Sequence, residues 1–278
     1  MNQDNISSRG HESKSGNPHD QEEQFDPEEL ERPRVETGNI NAMIFSAGLG
    51  TRFKPWTDTH PKALALVNKK SLLQRNIEYL QQYQITDVVV NVHHFPDQII
   101  KAIEDNDGWG SNVLISDERH EVLETGGGLL RAQELLNNGN EFITLNADIL
   151  TDLNLYDLLD YHRQKKALVS FGVTQRISSR NFLFDHHDRL CGWENTTTGE
   201  RRLSIPKTET VAKAYSCVAV FEPGIFELIP QRGKFSIVDT YLSLAADHLI
   251  AGYDHTGDRI VDVGKSKSVE AAELLFRD

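Results

Sequence analysis

The run Ala42-Met43-Ile44-Phe45-Ser46-Ala47-Gly48-Leu49-Gly50-Thr51-Arg52-Phe53-Lys54-Pro55 passes from an apolar strand straight into a glycine-containing loop. A strand that opens in this way carries backbone N–H groups to the carboxyl edge of a sheet. The missing side chains let a phosphate approach those donors. Ala47, Gly48, Leu49, Gly50 and Thr51 are therefore the candidate nucleotide-binding residues. The loop is not a dinucleotide fingerprint, because G-x-G-x-x-G needs glycine where Phe53 stands, and G-x-x-x-x-G-K-[ST] is absent. Arg52 follows Gly50 by two residues, and Lys62 lies ten residues beyond Arg52. Pro55 and Pro61 stiffen the segment between them. A guanidinium grips phosphate oxygens bidentately and an ammonium acts as a point charge, so both are candidate catalytic cations.

Outward from this loop, short apolar runs at 41–47, 87–92, 112–116, 142–146 and 168–173 alternate with amphipathic patterns at 72–83, 97–105, 128–136 and 155–164. Such alternation predicts an α/β fold, a Rossmann-like and mostly parallel sheet flanked by helices. Ligands then bind beyond the carboxyl ends of the strands. Farther on, 182–185, 190–194 and 201–205 read as short antiparallel strands, with turn chemistry at 195–199. A buried strand at 214–221, a helix at 237–250, a strand at 259–263 and a helix at 268–276 complete the chain. The expected organisation is one domain over 39–278 with a small β-rich insertion at about 180–213 that covers one side of the site. Residues 1–38, rich in Asn, Ser, Gln, Glu and Asp, read as a disordered acidic tail with room for one short helix at 27–31.

The formal charge of -13 disfavours nucleic acid and anionic lipid as partners. Anionic small substrates then need a local basic cluster or a divalent cation. The only cysteines, Cys191 and Cys217, lack C-x-x-C spacing and suggest neither a disulfide framework nor a thiolate zinc site. No apolar run approaches the roughly 20 residues that span a bilayer, and no secretory signal opens the chain. The expected location is the cytoplasm; the oligomeric state is left open.

Two aspartates stand at strand ends. Asp148 follows the apolar run 142–146, and Asp262 lies within 259–263 with Gly264 two residues later. Strand-end carboxylates of this kind can hold Mg2+, which neutralises charge during phosphoryl transfer. Asp152 reads as the cap of helix 155–164. Gly126, Gly127 and Gly128 open a helical pattern, where a ligand can press against backbone N–H groups. His93 and His94 are adjacent on a strand and so point to opposite faces, which favours a structural role over metal binding.

The string GLGTRFKPWTDTHPKAL at 48–64 resembles the signature of the sugar-1-phosphate nucleotidyltransferases, and the similarity extends from about Ile40 to the carboxyl terminus. That resemblance implies a nucleotide-diphospho-sugar transferase type of fold. It also implies Mg2+-dependent transfer of a nucleotidyl group from a nucleoside triphosphate to a sugar 1-phosphate, with release of pyrophosphate. By the same resemblance, Arg52 and Lys62 hold substrate phosphates, and Asp148 and Asp262 hold the metal. Ala147 stands where the family commonly has glycine. The string LETGGG at 123–128 and the pair His93-His94 resemble the branch of N-acetylmuramate-1-phosphate uridylyltransferases and mannose-1-phosphate guanylyltransferase-like bacterial enzymes. Gly126 and Gly127 would then sit against the base or ribose, and Glu118 would accept from a base N–H. Asn146 and Ser216 would face the sugar substrate. Ser216-Cys217 replaces the serine-glycine usual in that branch. UTP with N-acetylmuramate 1-phosphate is the expected pair; GTP with mannose 1-phosphate, or another hexose or heptose 1-phosphate, is the alternative. A non-catalytic nucleotide-sugar sensor should have lost one of the four charged groups, and a nicotinamide oxidoreductase should carry the sixth-position glycine.

Overall fold

The computed structural model describes residues 36–37, 39–206 and 209–277. The expectations for the tail fall almost wholly outside these residues. Its two described members, Glu36 and Thr37, are tied to the body. Thr37 is buried and donates through Oγ1 to Tyr83 O at 2.6 Å, and Arg163 Nη2 donates to Glu36 O at 3.3 Å.

The chain begins with β1 (Asn41–Phe45) and passes through short 3-10 turns to the hairpin β2 (Leu66–Val67) and β3 (Lys70–Ser71). Then come α1 (Leu72–Gln81), β4 (Asp87–Val92), α2 (Pro96–Asp105) and β5 (Asn112–Asp117). Next are α3 (Glu124–Arg131), α4 (Gln133–Leu136), β6 (Phe142–Asn146), β7 (Ile149–Thr151), α5 (Leu155–Lys165) and β8 (Val169–Thr174). Strands β9 (Arg180–Phe184), β10 (Leu190–Asn195), β11 (Glu200–Leu203) and β12 (Val211–Phe221) follow. The chain ends through α6 (Ile225–Leu228), α7 (Ile237–Leu244), β13 (Ile250–Asp254), β14 (Ile260–Asp262) and α8 (Ser268–Leu275).

Strands β6, β1, β4 and β5 lie side by side and parallel, which makes the expected α/β architecture. Along β1, side chains alternate between two cores, as the two-residue period of a strand requires. Ala42 and Ile44 enter a layer with Leu73, Ile77 and Leu80 of α1, Ile99 and Ile103 of α2, and Leu155, Leu158 and Leu159 of α5. Met43 enters the opposite layer, with Leu129 of α3, Phe226 of α6 and Tyr241 of α7. Helices therefore cover both faces. Two of the helix starts in the first of these layers have a side-chain cap. Ser71 caps α1 by accepting from Gln74 N at 3.0 Å, and Asn154 caps α5 by accepting from Tyr156 N at 3.0 Å.

Strand β12 joins the parallel half to an antiparallel lobe. Its end pairs with β6 and β8, and its beginning pairs with β9, which continues to β10 and β11. The register of β12 against β8 breaks between Tyr215 and Ala219.

Three sequence expectations need correction here. The helix expected over 237–250 stops at Leu244, and Ile250–Asp254 is instead a strand parallel to β8. Asp152 does not cap α5; it accepts from Arg259 N at 2.7 Å and Arg259 Nε at 2.6 Å. The helix expected from Gly128 begins at Glu124, so the three glycines lie inside its first turns rather than before it.

Candidate active site

Asp148 and Asp262 are far apart in sequence and adjacent in space. The cause is the antiparallel ribbon of β7 and β14, in which Asp262 pairs with Ile149. One step further along, Val263 N donates to Asp148 O at 2.8 Å. Lys62 Nζ forms an ion pair with Asp148 Oδ2. Arg52 lies near the other aspartate, with no ion pair between them among the described residues. The space a side chain at Gly264 would fill lies 2.5 Å from Asp262 Oδ1 and 2.9 Å from Arg52 Nη2. Gly264 therefore keeps open the place where these two charges approach each other.

The loop is held in position by a small core of its own. Phe53, next to Arg52, packs with Val67, Leu72, Leu150, Val263 and Ala272. Leu150 belongs to β7 and Val263 follows β14, so one apolar cluster joins the cationic loop to the aspartate ribbon. Phe53 occupies the place where a dinucleotide site would need glycine, and its burial explains the departure. Gly50 has φ +59, and a Cβ there would meet Thr57 Cγ2 at 2.7 Å, so both backbone and space require glycine.

Beneath the loop lies Asn91, buried at the end region of β4. Its Oδ1 accepts from Ser46 N at 2.7 Å and Ala47 N at 3.3 Å, and its Nδ2 donates to Glu118 Oε1 at 2.7 Å. The N–H groups of Gly48, Leu49 and Gly50 donate to no acceptor among the described residues, and so remain available to an anion. Asn91→Leu keeps the side chain's branching and heavy-atom count and strands the partners Ser46 N and Glu118. It is expected to cost about 2 kcal/mol, read as a lower urea midpoint at unchanged slope.

A cavity of about 490 Å³ opens beside the loop. Ala47, Gly48, Leu49, Gly50, Thr51, Lys62, Asn146 and Asp148 line it, so eight of the expected site residues converge on one space. Asn91, Val122, Glu124, Thr125 and Lys234 also line it, none of which sequence reasoning selected. Glu124 and Thr125 belong to the LETGGG string, in which the glycines are the more conspicuous signal. Lys234 sits in a loop without a motif, 3.8 Å from Glu124 Oε1, and nothing in the sequence marks it.

Six expected residues are not in the lining of the cavity: Arg52 and Asp262, which stand at the aspartate ribbon, and four that sit elsewhere. Gly126 N and Gly127 N both donate to Phe235 O, at 3.0 and 3.2 Å. These glycines meet protein rather than the cavity. Glu118 is buried and accepts from Asn91 and from Leu123 N at 3.4 Å, and burial raises its carboxyl above the ordinary value. Ser216 is fully buried. Its Oγ lies 2.7 Å from His255 Nε2 and accepts from Arg176 Nη1 at 3.4 Å, while His255 Nδ1 lies 3.2 Å from Asp258 Oδ2. Ser216 thus braces the bulge in β12. None of the described residues among 180–213 lines the cavity.

The two departures from the resembled pattern differ in consequence. Ala147 does not have positive φ, so alanine stands there without backbone strain. Cys217 has φ +58 at the bulge of β12, a conformation that favours glycine. Burial pushes its thiol up to about 12, helped by the charges of Asp148 and Asp262. Each histidine of the pair has a backbone partner: His93 Nδ1 lies 2.7 Å from Glu118 O, and His94 Nε2 lies 2.9 Å from Thr57 O.

Residues 41–274 match the nucleotidyl transferase family. An N-acetylmuramate α-1-phosphate uridylyltransferase of Caulobacter vibrioides is 40% identical over 233 residues, which cover 78% of this chain and 91% of the relative. A second, from Neisseria meningitidis, is 26% identical over 85% of this chain and 98% of its own. Among solved structures, HddC from Yersinia pseudotuberculosis, complexed with GMP-PN, aligns with a TM-score of 0.67 at 20% identity. That alignment covers 84% of this chain and 98% of HddC. The last likeness is one of fold.

Proposed function

Because this chain belongs to the nucleotidyl transferase family and is a sugar-1-phosphate nucleotidyltransferase, we propose that it joins UTP to N-acetylmuramate 1-phosphate, forming the UDP-sugar and pyrophosphate. The 40% identity to a relative of that name supports the choice of substrates. The observation that carries the catalytic reading is the β7–β14 register, which sets Asp148 and Asp262 side by side with Lys62 on one of them.

In this reading a phosphate oxygen of the sugar 1-phosphate attacks the α-phosphorus of UTP. The bond from that phosphorus to the bridging oxygen breaks, and pyrophosphate leaves with the electron pair. The nucleophile is already ionised, so no general base is required. Catalysis then rests on positioning and electrostatics. Free N–H groups of Gly48, Leu49 and Gly50 cradle the triphosphate, and Arg52 grips its oxygens. Lys62 exchanges its contact with Asp148 for the sugar phosphate. Asp148 and Asp262 offer hard oxygen donors, a set that suits Mg2+. Bound there, Mg2+ would neutralise charge developing on the phosphates. Asn146 and Thr125 line the space left for base and sugar. Residues 39–278 are the catalytic domain in this reading, working in the cytoplasm to supply a precursor of cell-wall polymer. No helix among the described residues is long and apolar enough to cross a membrane.

The test is a matrix of four nucleoside triphosphates against N-acetylmuramate, mannose, glucose and heptose 1-phosphates, with Mg2+, followed by pyrophosphate release. Turnover with UTP and N-acetylmuramate 1-phosphate at least tenfold above every other pair is expected. A higher rate with GTP and mannose 1-phosphate would reassign the substrates. Silence across the whole matrix would leave a sensor instead of an enzyme.

A further inference from the structure

At the end of β6 away from the cleft, a second cluster gathers. Glu141 immediately precedes β6, and Glu222 immediately follows β12. Because Phe142 pairs with Phe221 in these antiparallel strands, the two glutamates leave the sheet at the same edge. His162 comes from the last turn of α5 and is fully buried. Its Nδ1 is fixed 2.9 Å from Ser170 Oγ. Its Nε2 makes no hydrogen bond and lies 3.5 Å from Glu222 Oε1. One ring nitrogen and one oxygen from each glutamate all lie within 4.8 Å of one another.

We propose that Glu141, His162 and Glu222 form a binding site for a divalent transition-metal ion of the zinc class. A buried imidazole nitrogen without a partner is costly, and here it is aimed at two carboxylates. A cation between them satisfies all three groups. One imidazole with two carboxylates is a donor set for zinc or cobalt rather than magnesium, and three protein ligands leave a fourth position open. The surrounding groups are those such a site needs. Ser170 takes the other ring nitrogen of His162 and so orients the ring. Arg163 holds Glu141 through Nε at 2.8 Å and Nη2 at 2.6 Å. A cavity of about 500 Å³, lined by Glu141, Glu222 and His248, provides entry. The seven residues from Glu141 to Asp148 put this site on the order of 20 Å from the catalytic aspartates. It is independent of the proposed reaction.

Cobalt(II) titration of the metal-free full-length chain, followed by visible absorption, tests the site. A saturable band at one equivalent is expected, and it persists in the Asp148→Asn/Asp262→Asn variant, which lacks the cleft carboxylates. Glu222→Gln, at a side chain that is 45% exposed and tolerant of change, should weaken binding at least tenfold. Glu141→Gln should do the same, with the melting temperature of each metal-free variant establishing that it is folded. Zn2+ should raise the melting temperature of the parent chain and of the cleft variant, but not of Glu222→Gln. Absence of any band, a band untouched by both glutamine variants, or one abolished by the cleft variant would overturn the assignment.

Discussion

Replacing Asp262 by asparagine is expected to slow pyrophosphate release about a thousandfold, the scale on which removing one preorganised charged group acts. The same change should move the melting temperature by no more than about 2 °C. The separation of the two effects follows from where Asp262 sits. It is exposed, so the variant buries no new polar group, and surface changes of this kind stay within about 0.5 kcal/mol. Asparagine preserves shape, and the β7–β14 register is held by backbone pairing and by Leu150 and Val263 in the apolar cluster below. What is lost is one negative charge beside Asp148. Coupled detection of pyrophosphate at saturating Mg2+, with a thermal melt of the same sample, checks both halves. A rate within threefold of the parent chain would remove Asp262 from the catalytic machinery.

That ribbon shows where sequence reading reaches and where it stops. The parallel strands β1, β4 and β6 are legible because each is a run of apolar residues long enough to have a period, and each is bounded by polar or glycine residues. β7 has only three residues, too few to show any period, yet its pairing with β14 is what joins Asp148 to Asp262. Strand-end position and the family resemblance make both aspartates candidates; the register makes them neighbours.

The misreadings have equally local causes. Residues 237–250 contain leucines and alanines throughout, so helical periodicity continues past Leu244 on paper. In the fold, Leu168 N donates to Leu249 O at 2.8 Å and β8 offers a free edge to Ile250–Asp254, so sheet pairing overrides the local pattern. Glu118 and Ser216 stand near recognisable motifs, and the resemblance places them toward substrate. Both turn inward, to Asn91 and His255, in hydrogen-bond networks whose partners are remote in sequence. A polar residue beside a motif shows which segment matters. Only tertiary partners show whether the side chain faces a ligand or a brace.

Gly127→Ala is where these two roles give opposite results. A Cβ at Gly127 would lie 2.2 Å from Gly233 O and 3.0 Å from Leu123 Cβ, and the first of these is backbone that cannot swing away. Gly126 is as tightly placed, with Phe235 Cδ2 at 2.3 Å from its would-be Cβ. The N–H groups of both already serve Phe235 O. These glycines let α3 approach the segment before α7, and the segment carries Lys234 to the cavity. Overpacking at Gly127 is expected to cost about 3 kcal/mol. In a domain of this size that lowers the melting temperature by roughly 10 °C. The loss should be the same with and without saturating nucleotide, after allowing for ordinary ligand stabilisation of both proteins. Had Gly127 instead made room for a base or ribose, the variant would melt normally and show a raised KM for the triphosphate with kcat preserved. A melting temperature within about 2 °C of the parent, together with that KM change, would return Gly127 to the nucleotide site.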